Sequence, residues 1–129
     1  MIVNDVYNSL GIFLFGLLPD KEWTLAIINI EIQPGVLSMS GDCLCKDETI
    51  SLRTRYNREL GEMIKWLHTT TTKGGFSKWN KAKFTVTPDK KFNMEFFWDE
   101  ELQKEIDENN QKEAERDPNY KPPKWHWEK

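Results

Sequence analysis

The chain of 129 residues is 38% hydrophobic and 30% charged, and it carries a formal net charge of −3 with a pI near 5.5. This length favours one domain, residues 1–129, with a core at 1–98 followed by an acidic segment and a tryptophan-containing tail at 99–129. The acidic balance argues against direct nucleic-acid binding as the main task, because that task favours a basic face.

The first predicted element is an amphipathic helix near the start of the chain. Asn4 or Asp5 is a candidate cap, and Pro19 is expected to end the helix. The apolar run Leu10–Leu18 is too short to span a bilayer and follows no basic segment, so we expect a cytoplasmic protein with no export signal and no membrane partner. The apolar stripe with helical spacing consists of Val6, Leu10, Phe13, Leu14 and Leu17.

Three strands are predicted after this helix. Trp23–Ile32 is β-branched and almost continuously apolar, which favours a strand covered on part of both faces, although its length also allows a helix. Gln33–Gly35 provides a turn, Val36–Cys45 returns as a second strand, and Thr49–Thr54 forms a short third strand.

The two cysteines, Cys43 and Cys45, share one face of the second predicted strand. Two positions on one face of a strand are too far apart for relaxed disulfide geometry, so both thiols are expected to be reduced. A single Cys-x-Cys pair is also a weak zinc motif, and we expect no metal and no cofactor.

Residues that could support catalysis are few. His68 and His126 are the only histidines, and His68 lies near the predicted end of a helix, where a positive charge suits the helix dipole. Gly74–Gly75 does not belong to a phosphate-binding motif. We therefore expect a protein that is not an enzyme.

A second helix and a hairpin complete the predicted core. The helix extends over about Asn57–Thr70, with Asn57 as its cap and Gly74–Gly75 after its end. In the hairpin Lys81–Trp98, two runs of alternating polarity flank the turn residues Thr87–Lys91, which predicts one buried face. Its apolar stripe is Ala82, Phe84, Val86, Phe92, Met94, Phe96 and Trp98.

The complete order is α-β-β-(β)-α-β-β followed by a C-terminal helix or tail. This order predicts an α+β fold, with an antiparallel sheet of four to five strands and helices packed on one face. Leu102 and Ile106 indicate a short third helix, which fades into polar sequence at Glu108–Gln111.

The negative charge is concentrated between residues 99 and 117, where nine acidic and three basic side chains give a local charge of −6. Such a segment is either a solvated face or an acidic surface that binds a partner. The exposed-side aromatic Phe97 precedes it, and Tyr120, Trp125 and Trp127 follow, which favours recognition of a basic protein. Alternatively, the tail folds back and its tryptophans cover the core.

Three motifs resemble the YezG-like immunity (antitoxin) family of bacterial polymorphic toxin and contact-dependent growth inhibition systems. Leu18–Trp23 looks like that family's first helix-to-strand junction, and Phe76–Val86 with Lys91–Asp99 looks like its Trp-to-hairpin motif. Pro123–Trp127 is similar to its closing Trp-x-aromatic tail. The chain departs from the family at Asp89–Lys90, where Asp-Gly is usual, and in the acidic segment before the tail.

The resemblance implies an immunity protein that neutralises a cognate toxin domain, commonly a nuclease, through protein–protein interaction. Because nuclease domains are often basic, we expect an acidic inhibitor that occludes the active or substrate-binding surface, as a monomer in a 1:1 complex rather than a homo-oligomer. The alternative is a small non-catalytic adaptor or regulatory module that binds another basic protein or peptide; a metal-dependent hydrolase ranks below both. The expected toxin-binding residues are Trp98, Asp99, Glu100, Glu101, Glu105, Asp107, Glu108, Trp125 and Trp127.

Overall fold

A five-stranded antiparallel sheet organises the chain in the computed structural model, which describes residues 2–55 and 57–128. The strand order is β3-β2-β1-β4-β5, so that the first strand along the chain is the central one. The elements are α1 (Val3–Phe15), β1 (Leu25–Gln33), β2 (Val36–Leu44), β3 (Thr49–Leu52), α2 (Arg58–Thr71), a 3₁₀ turn (Lys73–Gly75), β4 (Lys81–Val86), β5 (Phe92–Phe97) and α3 (Glu100–Arg116).

The predicted α+β class with an antiparallel sheet is confirmed. On β1, alternate side chains from Ala26 to Ile32 are buried, and they pair laterally with the buried side chains of β4. The inward stripes of α1 and α2 pack on this face, which explains why β1 is apolar at every second position. On its other face, Leu25, Ile27, Glu31 and Gln33 are partly buried and Asn29 is exposed, so the predicted partial cover of the second face is confirmed.

Helix α1 begins and ends earlier than the sequence indicates. Its N-cap is Ile2 rather than Asn4 or Asp5, and the Asp5 carboxylate accepts a hydrogen bond from the Ile2 N–H at 2.9 Å. The helix stops at Phe15, before Pro19. The Gly16 N–H still bonds to the Ile12 carbonyl, but the next N–H, that of Leu17, bonds to the Leu14 carbonyl three residues back, which tightens the last turn. The residue chosen as a cap is therefore the third helical residue, and its carboxylate makes only the reciprocal half of a capping box, because the Ile2 side chain has no hydrogen-bond acceptor.

Helix α2 agrees with its prediction. The Asn57 side chain caps it by accepting a hydrogen bond from the Leu60 N–H at 3.0 Å. Beyond Thr71, Gly74 and Gly75 adopt φ of +72° and +77°, a left-handed conformation that glycine tolerates without strain. The chain then reverses toward β4.

The predicted burial of β5 is wrong. Phe92, Met94 and Phe96 share the helix-covered face with the buried β4 residues opposite them, as the alternation predicts. However, Phe92 remains 48% exposed and Phe96 37% exposed, because β5 is the edge strand of the sheet. Phe97, on the opposite face, is exposed as predicted, at 45%.

Helix α3 is longer than its sequence pattern suggests. It extends for 17 residues and includes the polar segment Glu108–Gln111, where the apolar spacing fades. The helix carries Glu, Lys, Gln and Ala, which have high intrinsic helix propensity, and the Asp99 carboxylate caps its start. Apolar periodicity is therefore a poor guide to where this helix ends.

The C-terminal tail folds back along α3. The Tyr120 hydroxyl donates to the Asn110 side-chain oxygen at 3.0 Å, and the Trp125 Nε1 donates to Gln103 Oε1 at 2.9 Å. Trp125 is only 4% exposed and belongs to the hydrophobic core. The two alternatives for the tail were an exposed partner-binding segment and a segment that folds back to cover the core. For Trp125 the structure shows the second.

Candidate protein-interaction surface

The start of α3 is fixed by a buried asparagine. Asn80 lies immediately before β4 and is fully buried. Its Nδ2 donates to the Asp99 carbonyl at 2.9 Å, and its Oδ1 accepts from the Asp99 N–H at 2.6 Å. This side chain therefore pairs with both backbone groups of the residue that caps α3, which ties the helix to the sheet.

Asp99 has a structural role in this arrangement. Its carboxylate accepts hydrogen bonds from the N–H groups of Glu101 and Leu102 and lies 2.6 Å from Lys81 Nζ. The Lys81 hydrogen bond and the helix N–H groups hold the pKa of Asp99 below its usual value. Asp99 was expected to contact a partner; it is partly exposed, and its carboxylate is already engaged.

The remaining predicted acids form two rows on α3. Glu101, Glu105 and Glu108 lie within about 60° of one another around the helix axis, and we call them the acidic row. Glu100 and Asp107 lie about a third of a turn away, and Asp107 accepts a hydrogen bond from Gln103 Nε2 at 2.9 Å. All five side chains are exposed.

The acidic row is electrostatically linked to the uncovered face of the sheet. The pKa of Lys81 is raised by its hydrogen bond to Asp99 and then by the negative charges of Asp99, Glu31 and Glu105. Lys81 pairs across the ladder with Phe97, and both line a depression of about 400 Å³ on this face. We call it the open-face depression; its other lining residues are Asn29, Ile30, Glu31, Ser38, Met39, Ser40 and Ala82.

The three predicted tryptophans belong to one aromatic cluster, with different degrees of exposure. Trp125 stacks on Trp127 with ring centroids 4.9 Å apart and planes 9° apart. Trp98 contacts both rings, at 5.9 and 6.3 Å between centroids. Trp125 is buried, whereas Trp98 and Trp127 are half-buried, so only the latter two present part of their surface to a partner in this conformation.

His68 lies at the centre of the aromatic cluster in the last turn of α2, where its surroundings are structural. Its Nε2 donates to the Trp79 carbonyl at 2.9 Å, and its ring lies 4.7 Å from the Trp79 ring and 5.4 Å from Trp125. Burial lowers the pKa of His68, and the neighbouring His126 acts in the same direction. The imidazole is therefore neutral at pH 7 and serves as a packed donor.

Other chemistry-bearing groups have structural surroundings. Cys43 is buried and Cys45 partly buried, and both thiols are free. Burial, followed by the neighbouring Cys45, raises the pKa of the Cys43 thiol to about 11. Within residues 2–55 and 57–128, no three His, Cys, Asp or Glu side chains cluster as metal ligands would. No helix in this part of the chain is long and apolar enough to cross a membrane.

The residues that sequence reasoning missed are those that join α3 to the sheet. Asn80 is polar between Trp79 and Lys81, and nothing in its local pattern distinguishes a buried amide from a loop residue. Lys81 was assigned only as the start of a strand. The Asn80–Asp99 pair is separated by 19 residues, so its signal lies in tertiary structure rather than in sequence spacing.

No family model matches this chain, and no curated protein matches it either. The residues and geometry described above are therefore the basis for a functional assignment.

Proposed function

We propose that the chain is an immunity protein that binds and neutralises a basic toxin domain of the nuclease type, through the acidic row and Phe97. The observation that carries this proposal is the exposed side chain of Phe97, which pairs across the ladder with Lys81 just before an anchored helix that carries three exposed carboxylates. One of these carboxylates, Glu105, acts electrostatically on Lys81. Aromatic residues dominate binding energy at many interfaces, whereas complementary charge raises the association rate and limits the choice of partner.

The charge distribution supports a basic partner. Along the first half of α3, Lys104 is the one basic residue among five exposed acids. A nuclease domain binds phosphate groups through Lys and Arg side chains. An inhibitor that presents carboxylates at phosphate-like positions competes for those same side chains and so blocks substrate binding.

The scaffold supports rigid presentation of this surface. Asn80 fixes the first turn of α3, and Trp125 fixes Gln103 one turn further along. A surface that is ordered before binding loses less conformational entropy when the complex forms. In the proposed complex one chain binds one toxin domain, and the chain itself performs no catalysis.

The experiment that tests this proposal is affinity capture from the native cell at low and high salt, followed by a nuclease assay on the captured fragment. The proposal predicts a stoichiometric basic fragment whose capture weakens with salt and whose nuclease activity the purified chain inhibits. A captured basic protein whose activity is unaffected would support the adaptor alternative, and the absence of a stoichiometric partner at both salt concentrations would contradict both.

A further inference from the structure

Strand β5 is an edge strand with unusual surface chemistry. Its six residues, Phe92–Phe97, include three exposed phenylalanines and one charged residue, Glu95. Natural sheets usually protect an edge with lysines, proline, a bulge or a covering segment. The opposite edge, β3, has only four residues and is bounded by polar loops. The two edges of this sheet therefore differ in their capacity to add a strand.

The backbone of β5 is available for this pairing. The Thr87 N–H donates to the Lys91 carbonyl at 2.9 Å, which sets the phase of the β4–β5 ladder. Since antiparallel ladders alternate, the N–H and C=O groups of Asn93, Glu95 and Phe97 point toward β4. Those of Phe92, Met94 and Phe96 point away from the sheet.

The residues that flank β5 indicate what pairs with it. A strand that runs antiparallel to β5 places its own start beside Asp99–Glu101 and its own end beside Lys90 and Lys91. Its preferred flanks are therefore basic before the strand and acidic after it. The flanks of β5 itself have this order, so a second copy of the chain satisfies both ends of the edge at once.

We propose that two copies of this chain associate through antiparallel pairing of their β5 strands into a ten-stranded sheet. In the register that this phase allows, residues 92–96 of the two copies overlap: Met94 lies opposite its own equivalent, and Phe92 lies opposite Phe96 of the second copy. The three outward residues then form the hydrogen-bonded pairs, as the ladder phase requires. On the other face, Asn93 lies opposite Glu95 of the second copy, so no like charges meet.

This association is compatible with the proposed toxin-binding surface. Of the proposed toxin-binding residues, Phe97 and Glu101 lie at the end of the paired strand, whereas Glu105 and Glu108 lie further along α3. Phe97 itself lies outside the overlapping residues 92–96. Each copy keeps its own acidic row, so the complex would contain two chains and two toxin domains. The dimer differs from the monomer expected from the sequence, and the same measurement distinguishes them.

Sedimentation equilibrium of the purified chain, from micromolar to millimolar concentration, tests this proposal without any toxin. We expect a reversible monomer–dimer equilibrium in the wild type. Met94→Pro removes an outward N–H while it leaves the β4 ladder bonds in place, so this variant should be monomeric. Met94→Leu is the matched control and should dimerise like the wild type.

The register has its own test at an exposed position. Asn93→Lys creates two attractive pairs with Glu95 in the proposed register, and Asn93→Glu creates two repulsive ones. The dimer dissociation constant should fall by about fivefold in the first variant and rise by about fivefold in the second. In a register where residue 93 faces itself, Asn93→Lys would weaken the dimer, which would contradict the pairing proposed.

Three results would overturn the proposal. One is a monomer at millimolar concentration. Another is a dimer that all four variants leave unchanged, because the interface would then lie elsewhere. The third is a monomeric chain that binds a captured toxin fragment and loses this binding in Met94→Pro but keeps it in Met94→Leu. That result would show that the β5 edge pairs with a strand of the toxin rather than with a second copy. The first two results do not depend on whether the acidic row binds a toxin.

Discussion

The side chain of Asn80 is predicted to be the main link between α3 and the sheet. Asn80→Ala removes the amide that bonds to both backbone groups of Asp99, at 2.6 and 2.9 Å. Each of these hydrogen bonds contributes about 1 kcal/mol net, and the truncation leaves a small cavity at a fully buried position. The free energy of unfolding should therefore fall by about 2–3 kcal/mol.

Urea denaturation followed by tryptophan fluorescence measures this change, and hydrogen exchange localises it. We expect the amides of α3 to lose more protection than those of β1, because α3 loses its anchor while the central strand keeps its ladder. Asn29→Ala is the matched control, since Asn29 is exposed on β1, and it should change the free energy of unfolding by less than about 0.5 kcal/mol.

Either of two results would refute the reasoning about Asn80. A loss of stability no larger than that of Asn29→Ala would show that the two hydrogen bonds do not contribute net stability. A large global loss with unchanged relative protection of α3 would show that Asn80 supports the core rather than the helix.

Three further predictions concern the core. The folded state lowers the pKa of His68 below its usual 6.5, so the unfolded chain binds more protons than the folded chain near that pH. The free energy of unfolding should therefore decrease as pH falls through about 6.5, and it should level off below the folded pKa. His68→Gln should flatten this dependence in denaturation curves recorded between about pH 7.5 and pH 5; an unchanged slope would contradict a neutral, buried His68. Trp125→Ala should lower the free energy of unfolding by about 3–5 kcal/mol, measured by thermal or urea unfolding. Trp127→Ala should lower it by less, because Trp125 is 4% exposed whereas Trp127 is half-buried. Equal losses in the two variants would contradict the tail packing. Burial raises the pKa of the Cys43 thiol to about 11, so this thiol should resist iodoacetamide in the folded chain and react after denaturation. Peptide mass mapping would detect the modification. Rapid modification of Cys43 in the folded chain would contradict its burial.

The elements that the sequence predicts well are those whose residues face the core directly. In β1 and α2, burial follows the periodicity, and the Asn57 cap lies at the predicted boundary. The same alternation failed for Phe92 and Phe96, because it identifies the face on which a side chain lies but not the position of its strand in the sheet. Strand order is a tertiary property, and it determines how much of that face is covered.

The candidate surface was also only partly predictable, because its residues come together through the length of α3 and through tertiary contacts. Residue spacing could place Glu101, Glu105 and Glu108 on one side of a helix, but only once the helix was known to continue beyond Glu108. Apolar spacing ended before that point. The ion pair of Asp99 with Lys81 and the hydrogen bond of His68 to Trp79 join residues distant in sequence, so neither contact had a local signal. The capping of α3 by Asp99 is local.

The central claim is that the acidic row binds a basic toxin domain, and the most direct test is titration calorimetry with the captured fragment. Two charge reversals, Glu105→Lys and Glu108→Lys, should together weaken binding by about 2 kcal/mol, or roughly 30-fold in Kd, and should reduce its salt dependence. The matched control, Asp20→Lys with Glu22→Lys, changes the net charge equally near the opposite end of β1 and should leave Kd nearly unchanged. Equal effects of the two double variants, or an unchanged Kd in both, would contradict the account.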